Sequence, residues 1–130
     1  MRRIEGYFHL LHTTESLLGA PEVHGDDLIV PVKQLYPLRG HPLTEVSSEH
    51  FCGRMIFRHV VSSSRTVRDL GPQSNLSSDR PPTCEADGPF LTEDGPNISE
   101  FAFEGIREYP PAWVDWIVRA ESFCLEVYGT

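Results

Sequence analysis

The chain has 130 residues, 39% of them apolar, enough for one domain around one hydrophobic core. No apolar run reaches the roughly 18 residues a membrane helix needs, and Met1-Arg-Arg-Ile-Glu-Gly lacks the apolar stretch of a signal peptide, so a cytoplasmic protein without membrane association is expected. The net charge of −8 sits at one end: residues 1–84 hold nine acids and nine bases, residues 85–130 ten acids against Arg107 and Arg119, which disfavours nucleic acid, whose phosphates demand a basic footprint.

Residues 4–12 alternate with Ile4, Phe8 and Leu10 in one parity and predict a first strand. Residues 13–25 are connecting chain broken at Gly19-Ala-Pro21, with a helical turn over Glu15–Leu18. A second strand follows over residues 28–36, where Pro31 removes one ladder donor and predicts an edge position or a bulge. After a loop over residues 37–49, residues 51–70 predict a long strand or a hairpin turning at Ser62-Ser-Ser-Arg65. Met55, Phe57, His59 and Val61 share one face, and Arg54, Ile56, Arg58 and Val60 the other.

Residues 71–97 contain five of the eleven prolines and three of the ten glycines. They read as one long loop whose composition favours disorder, with a ligand-covering lid as the alternative and Pro89–Thr92 as a short strand or anchor. Residues 99–105 predict a strand with Phe101 and Phe103 inward and Glu100 and Glu104 outward, facing Arg54 and Arg58 as cross-strand partners. In the closing strand, Val114, Trp116, Val118 and Ala120 form one apolar row, and Phe123, Leu125 and Val127 form another of opposite parity. That change requires an extra residue, or a corner, near Glu121-Ser122. Five to seven strands linked by Gly/Pro-rich loops predict an all-β antiparallel sandwich or small barrel.

Motifs for chemistry are sparse. There is no nucleophile elbow and no phosphate loop. Cys52, Cys84 and Cys124 are an odd set without a CxxC pair, as expected of free thiols in a reducing compartment. His50 and Cys52 would share a strand face and are the best thiol–imidazole pair, usable by a hydrolase or, with His41 or His59, as metal ligands. His9 and His12 would lie on opposite faces of a strand. Asp115, beside Trp113, is the carboxylate best placed for chemistry. A half-buried cysteine, solvated histidines and a surface aspartate are the favoured account of these residues, so no cofactor and no metal is expected.

Tyr109 and Trp113 flank a Pro-Pro-Ala turn among Glu104, Glu108 and Asp115, and exposed aromatics in acidic surroundings are typical recognition anchors. These five residues form the expected contact surface of a small acidic, non-enzymatic domain that docks on another protein as an inhibitor or adaptor, the charge favouring a basic partner. Bacterial immunity proteins are comparable in size and acidity only. The alternative is a small-molecule-binding barrel with residues 71–97 as its lid. The third is an enzyme built on His50/Cys52 or Asp115.

Overall fold

In the computed structural model of the chain, residues 2–45, 50–69, 82–108 and 111–128 are described. Two long strands dominate, β6 (Phe51–Asp69) and β9 (Ala112–Val127), and they pair antiparallel from Gly53↔Val127 to Asp69↔Ala112. Around them lie β1 (Arg2–Glu5), β2 (Leu11–His12), β3 (Leu17–Leu18), β4 (Glu22–His24), β5 (Asp27–Pro37), β7 (Thr83–Asp87) and β8 (Ser99–Arg107). The order β9–β8–β3–β5–β6, returning to β9, closes a five-stranded barrel. β1 extends it beside β9, β7 beside β6, and β2 and β4 beside β5. The all-β expectation holds.

Closure depends on a short element. Leu17 and Leu18 pair with Lys33 and Val32 of β5, and Leu17 bridges Ile106 of β8 in parallel. The Ile106 amide donates to Ser16 O at 2.9 Å. β8 approaches this closely because residue 105 is glycine: a Cβ there would lie 2.7 Å from Leu18 Cγ and 3.1 Å from Ser16 O.

The core follows the alternation of the strands. Leu28, Val30 and Val32 of β5, Met55 and Phe57 of β6, and Val114, Trp116, Val118, Phe123 and Leu125 of β9 are buried together. Towards one end, Phe8 sits edge-on among Phe57, Phe101, Phe103 and Phe123 with ring centroids 5.1–6.1 Å apart. Phe103 stacks on Phe57 at 5.6 Å and on Trp116 at 5.3 Å, which carries the aromatic column to the far side of the core.

Several local expectations are corrected. The first strand is not continuous: Gly6 and Tyr7 take φ of 78° and 62°, and a 3-10 turn over Phe8–Leu10 places the Phe8 ring in the barrel. Residues 17–18 are extended, not helical, because they supply the closing strand. β6 does not turn at residues 62–65. Ser63 there accepts the Trp116 indole N–H at 2.8 Å and donates to Asp87 at 2.7 Å, so the polar run serves a buried network. Pro31 lies opposite Arg54 at the gap between the β3 and β4 pairings, where its carbonyl accepts from the Gly19 amide at 2.8 Å. The irregularity in β5 comes later, between Val32 and Leu35, with Gln34 at φ 57°.

The face change in β9 is present, since Ala112 to Ala120 are buried at even positions and Phe123, Leu125 and Val127 at odd ones. The extra residue, however, is not in β9. Arg58↔Ser122 and Val60↔Ala120 stay in register around His59, whose φ is 53°, and the register shift falls in β6 between Val60 and Ser62. β6 therefore turns Val60 inward and leaves His59 exposed, overturning the single-face assignment of Met55, Phe57, His59 and Val61.

Within residues 71–97, Thr83–Asp87 is a strand on β6. Phe90 then packs against the core, and the Leu91 amide donates to Asp26 at 3.0 Å. Residues 70–81 lie outside the described residues. Arg54 and Arg58 do not meet Glu100 and Glu104, because β9 stands between β6 and β8. Arg54 pairs with Glu126, which Arg3 also binds, and Arg58 pairs with Glu5 at 2.9 Å. These long side chains border an outer-face strip of Ile29, Ile56 and Cys124.

Candidate functional site

The barrel end opposite the Phe8 cluster is floored by the buried Leu18, Val32, Val114 and Trp116. A half-open pocket of about 630 Å³ lies there, lined by Leu18, Val32, Val114 and Trp116 and, at the rim, by Lys33, Cys52, Arg65, Arg107, Glu108 and Tyr128. Its size is that of a small-molecule site, and its character is the usual one of apolar walls with a few polar groups. In a chain of net charge −8, it carries three cationic side chains against one carboxylate.

Arg65 is the most firmly placed of these cations. Its Nη2 donates to Asp87 Oδ1 at 2.9 Å, and its guanidinium lies 4.8 Å from the centroid of the Trp116 ring. Trp116 Nε1, Ser63 and Asp87 complete the circuit, so strand β7 braces Arg65 through a side chain that is itself buried. Such a network, satisfied at each step, fixes a rotamer. The Arg65 Nε–H is buried without an acceptor among the described residues. Arg107, from the end of β8, lies across Glu85 from Arg65, with Arg107 Nη1 3.6 Å and Arg65 Nη2 3.5 Å from that carboxylate. Lys33 is exposed on β5 beside Val32.

The five residues expected to form a contact surface are dispersed. Glu104 and Asp115 are direct cross-strand partners on β8 and β9, and Thr14 donates to Glu104 at 3.1 Å. They line a shallower groove of about 500 Å³ with His9, His12 and Thr14. The turn over Phe8–Leu10 brings both histidines to this groove, where a continuous strand would have separated them. Glu108 belongs instead to the barrel-mouth pocket. Trp113, between Arg68 and Ile106, is half-buried, and Tyr109 lies outside the described residues.

His50 packs edge-on against Tyr36 at 5.7 Å, while Cys52 is exposed at the pocket rim. Among the described residues, no three His, Cys, Asp or Glu side chains are placed to share a metal ion, and no helix is long and apolar enough to cross a membrane. His41 is buried elsewhere, its Nδ1 accepting from the Leu43 amide at 3.1 Å and its ring edge-on to Tyr7.

The sequence reading missed Arg65 and Arg107 as site residues. The signal was the inward row Ser63, Arg65 and Val67 on a strand facing Trp116, visible only once residues 62–65 are read as extended. No known protein family, curated protein or solved structure matches the chain. Fold and site together define a class: a small closed β-barrel with a mixed apolar and cationic pocket at one end.

Proposed function

We propose that the protein binds a small molecule with an apolar body in the pocket at the open end of its barrel. The observation that carries this reading is the half-open pocket of about 630 Å³ at one end of the barrel, floored by Leu18, Val32, Val114 and Trp116, with the other end filled by Phe8. A concavity of this size with apolar walls and a few convergent polar groups has the usual form of a small-molecule site. The alternative of docking on a protein through residues 104–115 has less support, since Trp113 is half-buried and the two acidic partners Glu104 and Asp115 lie in a separate groove. The lid expected from residues 71–97 takes a different form in this reading, with Thr83–Asp87 bracing Arg65 from the side.

Titration with N-phenyl-1-naphthylamine, a neutral apolar dye that fluoresces when shielded from water, tests the proposal. Saturable binding of one dye per chain is expected, with energy transfer from the tryptophans. Absence of saturable binding by the folded protein would overturn it.

A further inference from the structure

We infer that the ligand is a carboxylate, and that its anionic group binds between Arg65 and Arg107 where the Glu85 side chain now lies. The inference rests on the pocket reading above and adds the ligand's chemical class.

Two carboxylates of β7 reach Arg65, and they are held very differently. Asp87 is buried, 2.9 Å from Arg65 and 2.7 Å from Ser63, in the geometry of direct hydrogen bonds. Glu85 is 37% exposed and spans the two guanidinium groups at 3.5 and 3.6 Å, beyond direct hydrogen-bond length. One carboxylate anchors Arg65, and the other occupies its remaining field loosely. The exposure of the Glu85 carboxylate lets water and salt screen both pairs.

Both arginines also line the pocket, and Lys33 stands at the same rim. A carboxylate entering from the pocket side meets the guanidinium planes of Arg65, which Asp87 also holds, and of Arg107, which Asp69 also approaches at 3.8 Å. The ligand's hydrocarbon portion then lies along Leu17, Pro21, Pro31 and Tyr128, the partly exposed apolar lining of the pocket. Glu85 returns to solvent, which its position on an exposed strand permits. The Arg65 Nε–H, buried without an acceptor among the described residues, is a further donor on the same side chain. Glu85 thus acts as an internal stand-in for the ligand's anionic group and weakens binding by competition.

Displacement of N-phenyl-1-naphthylamine by sodium octanoate and by 1-octanol tests this in the wild type, Glu85→Gln and Arg107→Gln, each checked for folding by circular dichroism. An apolar pocket without an anion subsite favours the alcohol, which water solvates less well. The expected result is the reverse, with octanoate displacing the dye at roughly tenfold lower concentration. Glu85→Gln should tighten octanoate by roughly fivefold and leave octanol unchanged, and Arg107→Gln should abolish the preference for octanoate. Octanol displacing the dye as well as or better than octanoate would overturn the carboxylate inference while leaving the pocket reading intact, as would an unchanged octanoate midpoint in Glu85→Gln. Failure of the dye to bind any of the three proteins would remove both.

Discussion

His41 is 1% exposed, and burial together with the charge of Arg2 holds its imidazole below the usual histidine value. As pH falls, the unfolded chain therefore takes up this proton before the folded one does. The contribution of His41 is intact above about pH 6.5 and is lost as pH drops below that value towards the folded-state one. Protonation at Nδ1 would also displace the Leu43 amide from its acceptor. Urea unfolding at pH 7.5 and 5.5 should show a stability loss that shrinks in His41→Asn, whose carbonyl preserves the acceptor without titrating. Equal losses in both proteins would contradict this account.

Glu126 titrates with the opposite assignment of states. Hydrogen bonds from Arg3 and Arg54 hold its carboxyl below the usual carboxylate range in the folded protein. Its stabilisation is present above the unfolded value of about 4.3 and is lost as pH falls through the lower folded one. The carboxylate is 4% exposed, whereas Arg3 and Arg54 remain 54% and 32% exposed. Removing the acid leaves those arginines access to water, so Glu126→Gln should cost about 2 kcal/mol at pH 7, less than the loss for a fully buried ion pair. The difference should vanish at a pH low enough to protonate the wild-type carboxyl, and persistence there would rule out the charge as its cause.

Among the elements, the junction of β5, β6 and β9 is the most tightly specified. Gly53 pairs with Val127 on one side and Val32 on the other, and a Cβ at residue 53 would lie 2.0 Å from the Glu126 carbonyl oxygen. The clash is with backbone of a paired strand, which cannot rotate away. Gly53→Ala should destabilise the fold by about 3 kcal/mol, measurable by thermal or urea melting. A loss under about 0.5 kcal/mol would show that β6 and β9 separate locally at little cost.

The strands were legible where alternation was strong. The rows of Val114 to Ala120 and of Phe123 to Val127, and the corner between them, could be read from residue types alone. The compensating irregularity could not. A face change in β9 requires β6 to turn with it, and the register shift that follows falls at Val60–Ser62, where Val-Val-Ser-Ser-Ser gives no local sign. β3 was illegible for a related reason, since two residues carry no period. β7 lay inside a proline-rich stretch, and its strand identity comes from pairing with β6.

At the scale of the molecule, the acidic balance of residues 85–130 drew attention to charge on the outer surface, whereas the barrel places Arg65 and Arg107 of opposite sign at its mouth. Glu104, Asp115 and Glu108 were legible as outward polar positions in or beside the strands, but their division between two concavities depends on closure through Leu17 and Leu18, a long-range contact. On the proposed reading, ligand enters at the open end of the barrel and not at the outer groove. Ala20 is exposed at the rim of the barrel pocket, and Ala102 is exposed in the groove. Titration of N-phenyl-1-naphthylamine into Ala20→Trp and Ala102→Trp, with melting temperatures confirming that both fold, tests the claim most directly. Binding at least about tenfold weaker is expected in Ala20→Trp, where the indole occupies the pocket, and wild-type binding in Ala102→Trp. Loss of binding in Ala102→Trp alone, or in neither variant, would contradict that reading.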